Sequence, residues 1–138
     1  MTERVGRWIY ALEALVIGLP TLAFATPKIA LGLFVGTIDV ISGASGGWKI
    51  LGMALGGGFG LAAWWVLSGH YLSGGRRGLG EVGDGWWWAL LAGVVAAICW
   101  LLAVNTHGLA RIRLDWLAGP LLIIPALHLS YLRLRSPR

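Results

Sequence analysis

The chain has 138 residues, of which 57% are hydrophobic and 12% are charged, and its formal net charge is +5. Soluble domains carry about 25% charged residues, and so short a chain cannot bury this much apolar surface in a water-exposed fold. The composition therefore excludes an ordinary soluble domain and predicts a single all-α integral membrane domain.

The eleven Lys and Arg residues stand singly or in pairs beside apolar segments. Such a distribution determines membrane topology and does not form a basic stripe, so no nucleic-acid partner is expected. The single cysteine, Cys99, lies inside an apolar run, cannot form an internal disulfide and is expected to pack as a small hydrophobe.

The first apolar segment, residues 8–26, is a candidate membrane span that contains Glu13 and Pro20. A carboxylate in hydrocarbon costs about 2.5–3.5 kcal/mol on insertion scales, so it is expected to face the protein interior and to have a partner. Arg4 and Arg7, followed by an apolar run and a small-x-small sequence, also resemble a secretory signal peptide. Glu13 interrupts the apolar region of such a peptide, which favours retention of the segment as a span.

Residues 28–42 are apolar but too short to cross a bilayer, and their periodicity of 3.6 predicts an amphipathic helix at the outer surface or a re-entrant piece. One face is apolar: Leu31, Phe34, Val35, Ile38 and Ile41. The opposite face is small or charged: Lys28, Gly32, Gly36, Asp39 and Gly43. The segment serves either as a tether that closes the bundle or as a docking face with Lys28 and Asp39 as polar contacts.

The second span is expected at residues 48–72 and contains Gly52, Gly56 and Gly60 at four-residue spacing. Small residues at this spacing form a groove in which helices approach closely in lipid. Packing within the monomer is the favoured use, and self-association or partner binding is the alternative. A glycine-rich span can also bend around a transport pathway.

Two more spans are expected, at residues 86–104 and 116–132, each long enough for a bilayer or nearly so. With four spans and the N-terminus inside, seven of the basic residues lie at cytoplasmic ends and four lie at the opposite ends. The positive-inside rule then predicts that both termini are cytoplasmic.

Two intramembrane groups of opposite chemistry fall at the same predicted depth. Glu13 follows Trp8 by five residues and His128 precedes Arg133 by five, so each lies about 7–8 Å from the inner end of its span. A Glu13–His128 pair, with Tyr10, Ser130 or Tyr131 nearby, would satisfy both groups. The pair serves either as a structural bond or as a proton- or cation-binding site.

The remaining polar residues give no compact motif. His70, His107 and His128 do not have metal-ligand spacing, although His70 and His128 could face each other as haem ligands. Residues 105–115 are polar, as short outer loops usually are, and could form an anion-binding or catalytic patch. No nucleophile–base set or phosphate loop is recognised, so an enzyme is disfavoured and no metal or cofactor is expected.

These observations predict a four-transmembrane-helix bundle with an amphipathic or re-entrant segment between spans one and two. The leading functional hypothesis is a non-enzymatic protein of a bacterial-type inner membrane that binds a membrane-embedded partner, as accessory subunits and immunity proteins do. The alternative is a small oligomeric proton- or cation-coupled transporter or channel that uses Glu13. The candidate binding residues are Glu13, His128, Gly52, Gly56, Gly60, Lys28 and Asp39.

Overall fold

The computed structural model of the protein describes residues 3–105 and 120–134, and every element in these ranges is helical. The elements are α1 (Glu3–Glu13), a π-helical turn (Ala14–Gly18), α2 (Leu19–Ile41), α3 (Gly47–Glu81), α4 (Asp84–Asn105), a 3₁₀ turn (Pro120–Leu122) and α5 (Ile123–Leu134). Three helices are long and apolar enough to span a membrane: Arg4–Ile41, Gly47–Glu81 and Asp84–Ala103. α5 is apolar but shorter. The predicted fourth span reaches back to residue 116, and residues 116–119 lie outside the described ranges.

The first helix is continuous from Arg4 to Ile41, so no break in the helix separates the expected span at residues 8–26 from the expected segment at residues 28–42. Pro27 lies inside α2 without ending it. The hydroxyl of the preceding residue, Thr26, donates to the carbonyl of Leu22 at 2.8 Å. Hydroxyl groups and neighbouring helices allow a transmembrane helix to continue through proline. The sequence does not indicate this continuation, because Pro27 is followed by the charged residue Lys28, which suggests the end of a span.

Pro20 accounts for the π-helical turn at Ala14–Gly18, which precedes it in the chain. Proline has no N–H and its ring crowds the carbonyl four residues earlier, here that of Val16. The preceding turn is widened so that the N–H of Leu19 donates to the carbonyl of Ala14, five residues back. Pro20 then occupies the first turn of α2, where its fixed φ suits the helix.

The small face of residues 28–42 packs within the molecule. A Cβ atom placed on Gly36 would lie 2.8 Å from the backbone nitrogen of Leu51, and one on Gly32 would lie 3.0 Å from the Cβ of Ala54. The apolar face points outward, with Leu31, Phe34, Ile38 and Ile41 exposed. This segment therefore runs antiparallel to the first part of α3, and Gly32 and Gly36 pack against that helix, whereas Gly43 has no neighbour within 4 Å of a Cβ position.

The end of α3 is interrupted at Gly75, which has φ 63° and ψ −144° inside an otherwise helical run. Only glycine adopts this region of backbone space at low cost. After the break the chain turns back, and the backbone of Gly78 packs directly against the carbonyl of His70. The break lies three residues beyond the predicted end of the second span at residue 72.

The best-packed part of the molecule lies at this end, where α1, α3, α4 and α5 meet. Its fully buried side chains include Tyr10, Leu67, Tyr71, Leu79 and Leu129. Along their whole length the helices expose large apolar side chains on their outer faces. Polar groups inside and apolar groups outside is the arrangement expected of helices surrounded by lipid.

Candidate functional site

The structure brings Glu13 and His128 together. Nδ1 of His128 lies 2.5 Å from Oε2 of Glu13, a hydrogen-bond and ion-pair distance between residues 115 positions apart. Glu13 is the last residue of α1, and His128 lies near the middle of α5. Their side chains are 15% and 29% exposed, respectively. The contact inferred from equal depth is thus present, while its role in binding stays a prediction.

Tyr10 holds the pair from one side. It precedes Glu13 by three residues, a spacing that puts both side chains on neighbouring positions of one helix face. Its hydroxyl lies 2.6 Å from Oγ of Ser68, and its ring meets the rings of Tyr71 and His128 edge to face at 5.1 and 5.5 Å. Because its hydroxyl is hydrogen-bonded and its ring packs against two other rings, Tyr10 is held in one orientation and in turn orients the imidazole of His128.

One buried polar atom next to Tyr10, Oε1 of Glu13, has no hydrogen-bond partner among the described residues. The indole of Trp64 lies beside the Tyr10 hydroxyl and interacts with it. Buried polar atoms without partners are uncommon in folded proteins and frequently mark functional positions. Glu13 therefore uses one carboxylate oxygen for His128, and its second oxygen is buried without a partner among the described residues.

The π-helical turn begins directly after Glu13 and brings Gly18 against the indole of Trp64. A side chain at Gly18 would overlap the six-membered ring of that indole. π-bulges inside α-helices are frequent at functional sites because they reset the direction of the residues around them. Here the turn separates the polar surroundings of Glu13 from the apolar packing of α2 on α3.

Two arginine side chains, Arg7 and Arg133, connect helices at the end of the molecule that is nearer to the Glu13–His128 pair. The guanidinium of Arg7 donates to the carbonyls of Leu72 and Ser73 at 2.5 and 2.9 Å. Arg133 pairs with Asp84 at 2.5 Å and lies 4.6 Å from the ring centre of Trp87. The Arg133–Asp84 pair is largely exposed, so it adds little stability, but it holds the start of α4 against the end of α5.

The predicted glycine residues lie elsewhere and pack inside the monomer at two of three positions. Gly60 contacts the backbone of Gly93 on α4, and a Cβ atom on Gly56 would lie 3.2 Å from the Cβ of Ala96. Gly52 has no neighbour within 4 Å of such an atom. The favoured use of the motif, packing within the chain, describes Gly56 and Gly60 and does not describe Gly52.

Lys28 and Asp39 are distant from the pair along the first helix. Ile29, the residue after Lys28, lies 3.5–3.6 Å from Cβ positions on Gly57 and Gly58. Gly58 follows the first residue of α3, Gly47, by eleven residues, or about 16 Å along the helix. Lys28 therefore lies about 16 Å from the beginning of α3, the outer end at which it was expected. Asp39 lies at the turn between α2 and α3, where its carbonyl accepts from the N–H of Ala44 at 2.8 Å.

The histidine hypotheses separate clearly. His70 is exposed on α3, and in the described part of the chain no hydrogen bond or ring contact joins it to His128. No group of three or more His, Cys, Asp or Glu side chains among residues 3–105 and 120–134 could hold a metal ion. His107 and most of the polar stretch at residues 105–115 lie outside the described residues.

Sequence reasoning named Tyr10 as a neighbour of the pair but missed Ser68, Trp64 and Arg7. The hydroxyl of Ser130, which the sequence also suggested as a neighbour, donates to the carbonyl of Ala126 at 2.9 Å. The sequence does contain a signal for Trp64 and Ser68, because they continue the four-residue spacing of Gly56 and Gly60 along one face of α3. No comparable signal marks Arg7, whose partners are backbone carbonyls.

No protein family, no curated protein and no solved structure matches this chain.

Proposed function

We propose that the chain is a multi-pass protein of a bacterial-type inner membrane, a four-helix bundle in which α5 completes the fourth crossing and both termini are cytoplasmic. The three long apolar helices support the membrane assignment. The contacts of Arg7 and Arg133 bring basic residues to one end of the helices, where Arg4, Arg76 and Arg77 also fall. Lys49 falls at the other end, at the start of α3. This bias supports a cytoplasmic position for the arginine-rich end.

Within this framework the protein is a small proton-conducting transporter or channel, acting as an oligomer, and Glu13 and His128 carry the proton. The observation that supports this function is the 2.5 Å contact between His128 Nδ1 and Glu13 Oε2, with Glu13 Oε1 buried and without a hydrogen-bond partner among the described residues. A proton can pass between the imidazole and one carboxylate oxygen, and the second oxygen can accept or release it on the other side. Intramembrane carboxylate–histidine chains are the usual proton relays of membrane transporters.

The test is proton flux into liposomes that contain the purified protein and a pH-sensitive dye. With an inward electrical driving force imposed, wild-type protein is expected to acidify the lumen faster than protein-free liposomes. Glu13→Gln and His128→Gln keep the shape of the site but cannot relay a proton, so flux should fall to the protein-free rate. Glu81→Gln removes an exposed carboxylate outside the site and is the matched control. A wild-type rate equal to that of protein-free liposomes contradicts the function.

Binding of a membrane-embedded partner is the second candidate, and the exposure of α4 favours it. Gly56 and Gly60 are used inside the chain, so they offer no groove to a partner. The outer face of α4 instead exposes Trp88, Leu91, Val95, Ile98 and Leu102, next to the free thiol of Cys99. An accessory subunit or immunity-type protein would use such a face. A photo-crosslinker attached to Cys99 should then capture one membrane protein in stoichiometric yield, whereas labelling of lipid alone argues against this role.

A further inference from the structure

Exposed tryptophans mark one depth near the arginine-rich end of the helices. Gly60 of α3 contacts Gly93 of α4, and the two helices run in opposite directions. Trp65 follows Gly60 by five residues and Trp88 precedes Gly93 by five, so both indoles lie at the same depth. Both are exposed. Because indole rings favour the boundary between hydrocarbon and lipid headgroups, this depth is the expected position of that boundary.

The break at Gly75 returns Arg77 toward the depth of Trp65. In a straight α3, Arg77 would lie twelve residues beyond Trp65, or about 18 Å along the axis. Instead the chain turns back, and the backbone of Gly78 packs against the carbonyl of His70. His70 is only five residues, or about 7–8 Å, beyond Trp65. The backbone of Arg77 therefore lies near the headgroup region and not far out in water.

Arg4 brings a second guanidinium to this end. The hydrogen bond of Tyr10 with Ser68 fixes the depth of α1, so Trp8 lies near the headgroup boundary and Arg4 lies about one turn beyond it. Arg4 and Arg77 are both exposed, and neither has a hydrogen-bond or ion-pair partner among the described residues. Their guanidinium groups are thus open to a ligand from outside the chain.

The formal charge at this end is positive. Five arginines outnumber three acidic residues: Arg4, Arg7, Arg76, Arg77 and Arg133 against Glu3, Glu81 and Asp84. Arg7, Arg76 and Arg133 have interactions within the chain, so Arg4 and Arg77 carry the charge that is open to a ligand. At the opposite end, around the turn between α2 and α3, the single acid Asp39 and the single base Lys49 balance. The charge therefore complements an anionic surface at one end only.

We propose that Arg4, Arg77 and the surrounding tryptophans bind an anionic phospholipid, with its phosphate at the guanidinium groups and its acyl chains beside the indoles. The planar fork of arginine matches phosphate oxygens. A zwitterionic phospholipid carries the same phosphate, but its own ammonium group cancels the charge, so the anionic lipid is preferred. The inference rests on the proposed membrane location and is independent of proton conduction, because neither Glu13 nor His128 takes part.

The test uses full-length protein purified in detergent and stripped of lipid. Native mass spectrometry during titration with phosphatidylglycerol or phosphatidylcholine of the same acyl chains measures the dissociation constant of the first bound lipid. Each basic residue near anionic lipid contributes up to about fivefold in affinity, so wild type should bind phosphatidylglycerol at least about fivefold more tightly than phosphatidylcholine. Arg77→Gln should remove about fivefold of that preference, and Arg4→Gln/Arg77→Gln should abolish it.

Lys49→Gln is the matched control, because it removes one exposed charge at the opposite end and should leave the preference unchanged. Inorganic phosphate at the lipid's concentration should not displace the bound lipid. Equal binding of the two lipids by wild type, equal losses for Lys49→Gln and Arg77→Gln, or displacement by inorganic phosphate overturns the proposal. Failure of the membrane assignment is distinguishable, because the protein would then stay in solution without detergent.

Discussion

The ring of Tyr10 meets the imidazole of His128 edge to face at 5.5 Å between centroids. Tyr10 is itself anchored by Ser68 and Tyr71 of α3, so the central helix fixes the orientation of an imidazole that belongs to α5. Nδ1 of that imidazole is thereby held toward Glu13 of α1. Three helices thus define one polar site, and a change in any of them should be felt at the Glu13–His128 contact.

The first prediction concerns the energy of the Glu13–His128 pair. His128→Leu leaves a buried carboxylate without its partner, so it should destabilise the protein more than the double variant Glu13→Leu/His128→Leu does. Interhelical polar contacts in membranes have coupling energies of about 0.6 kcal/mol on average and up to about 1.7, and this short pair is expected near the upper value. Unfolding in mixed micelles, followed by circular dichroism for the four proteins of the cycle, measures it. Additive effects of the two substitutions would show that the pair does not interact.

The second prediction concerns Arg7 and the broken end of α3. The interruption at Gly75 is expected to leave the carbonyls of Leu72 and Ser73 without helical N–H partners, and Arg7 donates to both carbonyls. Arg7→Met should cost about 1.5–3 kcal/mol of unfolding free energy, because hydrogen bonds to charged groups are worth about that much. Arg7→Lys should recover only part of it, since an ammonium lacks the planar fork.

Arg4→Met is the control for Arg7→Met, because Arg4 is exposed and precedes Arg7 by three residues in the same helix, α1. Its removal should change the free energy of unfolding by less than about 0.5 kcal/mol. Equal losses for Arg4→Met and Arg7→Met would mean that the loss reflects net charge and not the cap on α3.

The sequence indicated those features that depend on length, periodicity and depth. Apolar length predicted the long helices, and counting residues from Trp8 and Arg133 put Glu13 and His128 at one level. The course of residues 28–42 could not be read this way. A lysine after an apolar run looks like the end of a span, and only the contact of Gly36 with Leu51 keeps this segment beside α3.

The partners of Arg7 and a cavity of about 190 Å³, which residues of α2, α3, α4 and α5 line, also depend on positions in space. Arg7 binds carbonyls of Leu72 and Ser73, and every residue has a carbonyl, so no residue type signals the contact. The cavity results from the summed side-chain volumes of four helices. Knowing that Gly57 and Ala97 are small does not show that they face the same space. A pair of opposite charges, such as Glu13 and His128, can be proposed from the sequence, whereas the position of a cavity cannot.

The third prediction separates the glycines of α3 by what each contacts. Gly60 meets the backbone of Gly93, which cannot move without moving α4, so Gly60→Ala should destabilise the protein by about 1–3 kcal/mol. Gly52→Ala adds a methyl group to open space in the same helix and should stabilise it by up to about 1 kcal/mol through helix propensity. Thermal unfolding in detergent measures both. Destabilisation by Gly52→Ala would instead reveal a contact of Gly52 with a second chain.

The last prediction concerns the break itself. Gly75 has φ 63° and ψ −144°, a region in which an L side chain costs about 1–3 kcal/mol, so Gly75→Ala should lower the free energy of unfolding by that amount. Gly74→Ala is the matched control, because Gly74 lies within the helical run and a Cβ atom there has no neighbour within 4 Å. The Gly75 variant can relieve its strain only by straightening α3, which would return helical partners to the carbonyls that Arg7 binds. Gly75→Ala and Arg7→Met should therefore be non-additive, and the double variant should be less destabilised than the sum of the two. Additivity within about 0.5 kcal/mol would mean that the break and the arginine cap are independent features.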